Sequence, residues 1–163
     1  MENLEYLEYR PVETKYIDQL QRLWSDEDMI RYMNISRPLT LEETKRRMLQ
    51  LKSPEVFLLF RKGEFAGIAG CLRMDAEKKK FGLFYQVRKC FWGQGCGTMA
   101  AAWILDFMKK KYSSFTILAD VIEANTASWK ILENMNFSLV SKKEEVHKGA
   151  PVQVRNYKFE NMK

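Results

Sequence analysis

A single histidine, His147, is all the imidazole this chain carries, so a multi-histidine metal centre is excluded and a Ser-His-Asp triad would hang on that one residue. Cysteine is nearly as scarce. Cys71, Cys90 and Cys96 are odd in number and lack paired metal-ligand spacing; no disulfide frame and no zinc site is expected, and a reducing compartment would keep them as thiols. Long apolar runs are missing too. Val56 to Phe60 and Ala100 to Leu105 fall far below the roughly 20 residues of a membrane span, so no membrane association is expected. The opening Met1-Glu2-Asn3-Leu4-Glu5 is acidic and lacks the basic-then-apolar order of a secretory signal, which gives the expectation of a cytoplasmic protein. No internal repeat, low-complexity segment or interdomain linker is found.

What is present is material for one core: 163 residues, of which 46% are hydrophobic, read as a single domain over residues 1–163. Lys and Arg number 27 against 21 Asp and Glu, a formal charge of +6. That excess suits nucleic acid, acidic proteins or a phosphate-rich cofactor without choosing among them. The runs Lys78–Lys80, Lys109–Lys111 and Lys142-Lys143 fall where turns or helix ends are expected and read as solvated faces.

Hydrophobic periodicity orders the elements. Leu4 to Val12 alternates as a strand, Glu13 to Trp24 has helical spacing, and Asp26 to Met33 reads as a short helical piece. Thr40-Leu41-Glu42-Glu43 is a capping box opening a helix to Leu51. Glu55 to Arg61 and Phe65 to Met74 flank the turn Lys62-Gly63-Glu64 as a hairpin, and Phe81 to Arg88 continues the meander. After an aromatic and glycine-rich interruption come a helix from Thr98 to Lys111, a strand from Phe115 to Val121 and a helix from Asn125 to Met135. Strands Phe137 to Val146 and Val152 to Phe159 close the chain around Lys148-Gly149-Ala150-Pro151. An antiparallel meander followed by βαβ predicts an α+β mixed sheet rather than a doubly wound one.

The interruption, Trp92-Gly93-Gln94-Gly95-Cys96-Gly97-Thr98, carries the chemistry. Alternating glycines between a strand and a helix let the backbone approach a ligand, and the unpaired amides and dipole of the helix start favour negative charge. Gln94 to Thr98 is therefore a candidate pyrophosphate site. Gly97-Thr98-Met99 lacks the Lys-Ser/Thr of a P-loop, and Gly93-x-Gly95-x-x-Thr98 breaks the dinucleotide fingerprint. A plain strand-to-helix turn is the competing structural reading.

Taken with Tyr85-Gln86-Val87 before it and Asn125-x-x-Ser128 followed by a helix ending in Asn136-Phe137, the segment resembles the GNAT superfamily of N-acetyltransferases. Within it, the closer likeness is to the RimJ/RimL-like, ribosomal-protein-alanine acetyltransferase branch, over residues 4–160. The resemblance implies a mixed, mostly antiparallel sheet of about six to seven strands with a central splay, flanked by about four helices. It implies acetyl-CoA as co-substrate, no metal, and direct transfer to a primary amine, either a protein N-terminus or a small molecule. Gln86 and Val87 would offer backbone groups to the pantetheine arm; Gln94, Gly95, Cys96, Gly97 and Thr98 would offer N–H groups to phosphate; Asn125 would meet the cofactor near the splay. Ser128, one helical turn on, would hydrogen-bond the departing sulfur; its bland alternative is a serine stabilising the first helical turn. For the base, Glu145 is preferred over Glu144, His147 or water, although a one-residue slip in register exchanges the side chains that face a cleft. Tyr32 and Met33 stand where similar enzymes line the acceptor pocket.

Three departures accompany the likeness. Trp92 replaces a more common Gln or Arg but is frequent in the branch. Asn136 stands where a glycine is usual, and Asn is the best non-glycine left-handed C-cap. Leu132 takes the place of a tyrosine acid and cannot donate a proton. The last two keep open a rival reading, a CoA-binding module without catalysis. A nucleic-acid-binding domain is the other rival, disfavoured by the lack of a basic helix or base-stacking array, and edge strands near the C-terminus offer a route to a homodimer.

Overall fold

The computed structural model describes residues 6–75 and 77–162. Leu4 and Glu5, where the expected first strand begins, lie outside the described residues. The N-terminal alternation forms strand β1 (Leu7–Pro11), and a 3-10 turn, Thr14–Tyr16, precedes α1 (Ile17–Leu23). The helix expected from Glu13 thus starts four residues later. The next helix, α2 (Glu27–Ile30), is shorter than the expected Asp26 to Met33; Asp26 Oδ1 caps it by accepting from the N–H groups of Asp28 at 2.9 Å and Met29 at 3.4 Å. The capping box opens α3 (Leu41–Leu51): Thr40 Oγ1 accepts from Glu43 N–H at 3.1 Å and Glu43 Oε1 from Thr40 N–H at 2.9 Å. The Arg37 guanidinium, bonded to both Glu43 oxygens, is the main reason that carboxyl is held down at about 2.

The remaining strands are β2 (Val56–Arg61), β3 (Glu64–Asp75), β4 (Lys80–Val87), β5 (Phe115–Ile122), β6 (Ser138–His147) and β7 (Ala150–Asn161). They join β1 in one seven-stranded sheet of order β1-β2-β3-β4-β5-β7-β6. Positive φ at both Lys62 and Gly63 (51° and 79°), and at both Lys148 and Gly149 (52° and 83°), makes the two tight hairpin turns whose twist matches the strands they join. Pairing is antiparallel throughout except between β4 and β5, which run parallel. There only Lys80 to Gly82 face Thr116 to Leu118. Beyond Gly82 and Leu118 the two strands separate, and backbone groups on their facing edges lose their sheet partners.

Two helices after the meander, α4 (Cys96–Lys111) and α5 (Thr126–Asn134), cover one face of the sheet, while α1 to α3 cover the other. Both faces being covered explains why β2 and β3 read as near-continuous apolar runs. Along β2, Val56, Leu58 and Phe60 enter the core beneath α1 to α3, and Leu59 the core beneath α4. Phe81, Ile104, Met108, Ile117 and Leu132 fill that second core, where each buried aliphatic or aromatic side chain contributes roughly 1.5–3 kcal/mol.

The position of α5 is fixed from β7. Arg155 lies with its guanidinium 3.8 Å from the Trp129 ring and donates to Glu123 Oε1 at 3.1 Å and to Glu133 Oε2 at 3.3 Å. Tyr157, buried beside it, donates to Glu133 Oε2 at 2.6 Å. At the end of α5, Asn136 takes the left-handed conformation (φ 67°), and Phe137 N–H closes on Leu132 O at 3.0 Å. The missing glycine is replaced there without loss of the turn.

Candidate active site at the strand splay

The gap between β4 and β5 opens into a cavity of about 600 Å³. One wall is β4 from Leu83 to Val87, the opposite wall is β5 from Ala119 to Val121, and the start of α4 and the first turns of α5 complete it. A third side is the α2 segment, with Asp28, Arg31, Tyr32 and Met33.

At the α4 end, Gly95 is the N-cap residue with φ 79°, and no side chain caps the helix. The first intrahelical bond runs from Met99 N–H to Gly95 O at 2.9 Å, so the N–H groups of Cys96, Gly97 and Thr98 have no partner within the helix. This contrasts with α2 and α3, whose ends are capped by Asp26 and Thr40. An uncapped start carrying the positive end of a 16-residue helix is suited to an anion. The helix begins at Cys96 instead of the expected Thr98, which moves Gly97 from the loop into the first turn. The left-handed turn is already complete at Gly95, and a Cβ at Gly97 would sit 3.1 Å from Ile131 Cδ1.

The sequence-predicted residues divide. Gly95, Cys96, Gly97, Thr98, Asn125 and Ser128 all reach the cavity wall, as do Gln86 and Val87 across from them. Tyr32 and Met33 do as well. Gln94 does not; its side chain braces the loop, donating to Cys90 O at 3.2 Å and accepting from Arg61 at 2.9 Å. Cys96 is buried, with Arg61 Nη1 3.0 Å from its sulfur. The Gln86 side-chain oxygen accepts from the buried Trp24 indole at 2.9 Å, and the Val87 carbonyl accepts from the Trp92 indole at 2.7 Å. Gly67 lets β3 come close to this stretch, since a Cβ there would lie 2.0 Å from Gln86 O. Asn125 precedes α5 as its N-cap residue, yet its side chain makes no capping bond.

Ser128 is tied to Tyr85, one residue before the pair expected to meet the pantetheine arm. Its Oγ donates to the Tyr85 hydroxyl at 3.2 Å, and that hydroxyl donates to the Ser128 carbonyl at 2.8 Å. Burial pushes the Tyr85 phenol up to about 12, so it keeps its proton throughout the neutral range.

The expected base fares differently. Glu145 lies exposed on β6, the outermost strand, opposite Val152, and neither it nor Glu144 reaches the cavity. The reason is strand order: β7 lies between β5 and β6 and sets Glu145 one strand further from the splay. His147 is bonded instead to the Arg31 carbonyl at 2.9 Å, and Lys148 donates to Ile30 O at 2.6 Å, so the β6–β7 turn rests on the α2 segment. Two carboxylates do line the cavity, Asp28 and Asp120. Asp28 is paired with Lys89 and with Arg31 at 2.6 Å; the Lys89 contact is the main cause holding its carboxyl below the usual range. Asp120 has no ion-pair partner among the described residues, and its Oδ1 accepts from Asn156 Nδ2 at 2.7 Å, with Ser141 Oγ donating to Asn156 Oδ1 at 2.9 Å. A hydrogen-bonded chain across β6, β7 and β5 thus orients one carboxylate at the splay. An acidic residue inside the otherwise apolar Thr116 to Val121 strand, just before Asn125-x-x-Ser128, was the available sequence signal.

Among the described residues no group of three or more His, Cys, Asp and Glu could hold a metal ion, and no helix is long and apolar enough to cross a membrane.

A parallel pair that splays beside an uncapped, glycine-led helix defines a cleft suited to a ligand with an anionic group, and comparison with known proteins gives the family. Residues 7–138 match the acetyltransferase (GNAT) domain family; the chain belongs to it and is an acetyltransferase. An uncharacterized N-acetyltransferase of Bacillus licheniformis, p20, is 27% identical over 142 residues, covering 82% of this chain and 79% of that protein. Among solved structures, the ribosomal L7/L12 alpha-N-protein acetyltransferase RimL in complex with coenzyme A superposes with a TM-score of 0.83 at 17% identity, over 94% of this chain and 93% of that one. A GNAT-family acetyltransferase from Bacillus anthracis gives 0.81 at 18% identity, with 96% of each chain covered.

Proposed function

We propose that this acetyltransferase takes its acetyl group from acetyl-CoA and delivers it to a primary amine, with a peptide N-terminus as the acceptor class. The observation that carries the reading is the splay itself, whose cavity runs from the uncapped start of α4 to the carboxylate of Asp120. The residues fit the donor: the free N–H groups of Cys96, Gly97 and Thr98 suit a pyrophosphate, and the apolar and amide-bearing wall of β4 suits an extended arm. Bound there, acetyl-CoA supplies an activated acyl group as a thioester. The N-terminal acetylation named for RimL supports the choice of acceptor.

The chain's own groups then divide the work. Unpaired β4 amides beyond Gly82 are donors whose orientation the sheet has already fixed, suited to a carbonyl oxygen that gains charge. Ser128 Oγ, at the first turn of α5, is suited to donate to a departing sulfur once it turns from the Tyr85 hydroxyl. Asp120, held by Asn156, orients the amine and takes up the proton that an α-ammonium must lose before its nitrogen attacks, while the proton released as the N–C bond forms leaves with the thiolate. Asp120 replaces Glu145 in this role. A cytoplasmic setting belongs to the same reading, since a reducing compartment would keep Cys71, Cys90 and Cys96 as thiols.

Binding is tested by unfolding the chain with and without acetyl-CoA. The ligand is expected to add about 2.7 kcal/mol of stability at 100 times its dissociation constant. An unchanged Tm at saturating acetyl-CoA would remove the donor assignment.

A further inference from the structure

Behind the α2 segment, residues Asn34 to Leu39 and the exposed side of α3 enclose a second cavity of about 440 Å³. Its wall carries three guanidinium groups, Arg37, Arg46 and Arg47, against one carboxylate, Glu43. Glu43 is fully engaged: it accepts from both Arg37 Nη atoms, at 2.9 Å and 2.7 Å, and from Thr40 N–H. No carboxylate in the wall is left for Arg46 and Arg47. Arg47 is the more telling of the two, because its guanidinium rests 5.0 Å from the Trp24 ring and its Nε is buried with no hydrogen-bond partner. Among the described residues it is the one buried side-chain nitrogen or oxygen left in that condition. A buried donor on a cation without a partner costs on the order of 1–3 kcal/mol or more, and such groups are rare unless a ligand completes them.

The second cavity is linked to the first in two ways. The chain runs directly from one to the other, since Arg31, Tyr32 and Met33 line the first and the next residues, Asn34 to Arg37, the second. The Trp24 side chain also spans them, with its ring face beneath Arg47 and its N–H on Gln86 in the first cavity. The Arg47 and Gln86 side chains therefore lie about one indole apart, on either side of the buried Trp24. An extended peptide advances at most about 3.5 Å per residue, so one that leaves the splay along Met33 and Asn34 comes within reach of Arg46 and Arg47 after a few residues.

We propose that this second cavity is an anion subsite for the acceptor, in which Arg46 and Arg47 hold a carboxylate borne by one of the first few residues behind the reactive amine. The planar fork of a guanidinium matches a carboxylate with two parallel bonds, which gives register along the peptide as well as affinity. The +6 chain thereby selects acidic N-termini over basic ones. The inference rests on the acetyl-transfer reading of the first cavity, and the two can fail separately.

The test measures both binding and turnover for two peptides with free N-termini that are identical except for Glu or Gln at the third residue. Wild-type chain is compared with Arg46→Gln, whose exposed side chain leaves the fold intact, and Arg47→Lys, which keeps the charge over Trp24. Expected for the wild type is about tenfold tighter calorimetric binding and about tenfold lower KM for the Glu peptide at equal kcat, with the preference falling towards parity in both variants. Inorganic phosphate, added as competitor at saturating acetyl-CoA so that it does not occupy the α4 start, is expected to raise the KM of the Glu peptide and leave that of the Gln peptide unchanged. Equal binding of the two peptides by the wild type overturns the subsite, as does an undiminished preference in both variants. Selective binding of the Glu peptide without turnover would keep the subsite and overturn the transfer reading; turnover without selectivity does the reverse.

Discussion

Replacing Ser128 with Ala and Tyr85 with Phe separates the catalytic use of one hydroxyl pair from its structural use. The Tyr85 hydroxyl donates to the Ser128 carbonyl at 2.8 Å and accepts from Ser128 Oγ at 3.2 Å. In Tyr85→Phe both hydroxyl bonds go while the Ser128 carbonyl keeps its helical donor, the Leu132 N–H, and the expected loss is about 1–3 kcal/mol for the two bonds. Ser128→Ala removes only the longer bond and keeps the carbonyl satisfied, so about 0.5–1.5 kcal/mol is expected. Activity should rank in the opposite order. Ser128→Ala deletes the only hydroxyl offered to a leaving sulfur in this account and should lower kcat by roughly 10²- to 10⁴-fold with little change in acetyl-CoA affinity. Tyr85→Phe leaves Ser128 Oγ in place and should cost far less turnover than it costs stability. Urea titration and initial rates on the two single variants and the double variant give both rankings. A pH series adds a check: the phenol is raised from 10.0 to about 12, so its contribution to stability is complete below pH 10 and is lost as pH rises through 12. Tyr85→Phe should therefore flatten the alkaline fall in stability. Wild-type turnover in Ser128→Ala would refute the assignment of the leaving group to that hydroxyl.

Gly95→Ala tests the α4 start, because a Cβ there meets nothing within 4 Å while φ stays at 79°. The expected stability loss is the left-handed strain alone, about 1–2 kcal/mol, with acetyl-CoA binding weakened further as the loop relaxes; unaltered binding would mean that this turn does not set the anion site. Asp120→Asn should lower turnover at neutral pH and recover part of it above about pH 8, where an α-amine is already largely neutral. A defect independent of pH would argue that Asp120 is not the proton acceptor.

The elements were largely legible in the sequence because each carried a local signal. Thr40 and Glu43 form the box their spacing predicts, Lys62-Gly63 makes the hairpin, and Asn136 supplies the left-handed cap. The position of the glycine segment at a helix start was legible for the same reason, whereas the Gln94 side chain was not, because its contact with Arg61 lies across the fold. Non-local order was not. Nothing in residues 138–161 announces that β7 inserts between β5 and β6, and that insertion carries Glu145 away from the splay and brings Asn156 against Asp120. The bonds of Trp24 to Gln86, of Trp92 to Val87 and of Ser128 to Tyr85 are likewise properties of packed surfaces. Arg47 carries no local signal in the sequence, and only packing reveals its buried, unpartnered nitrogen.

The central claim is that the β4–β5 splay carries acetyl from CoA to an amine, and the most direct measurement follows both products at once. Thiol release from acetyl-CoA and the mass of a peptide with a free N-terminus are recorded in the same reaction. The account predicts one thiol released per acetyl group gained, with acetylation on the terminal nitrogen and abolished by blocking it. Thiol release with no acetylated amine, or no release above background across peptides and small amines, would contradict it.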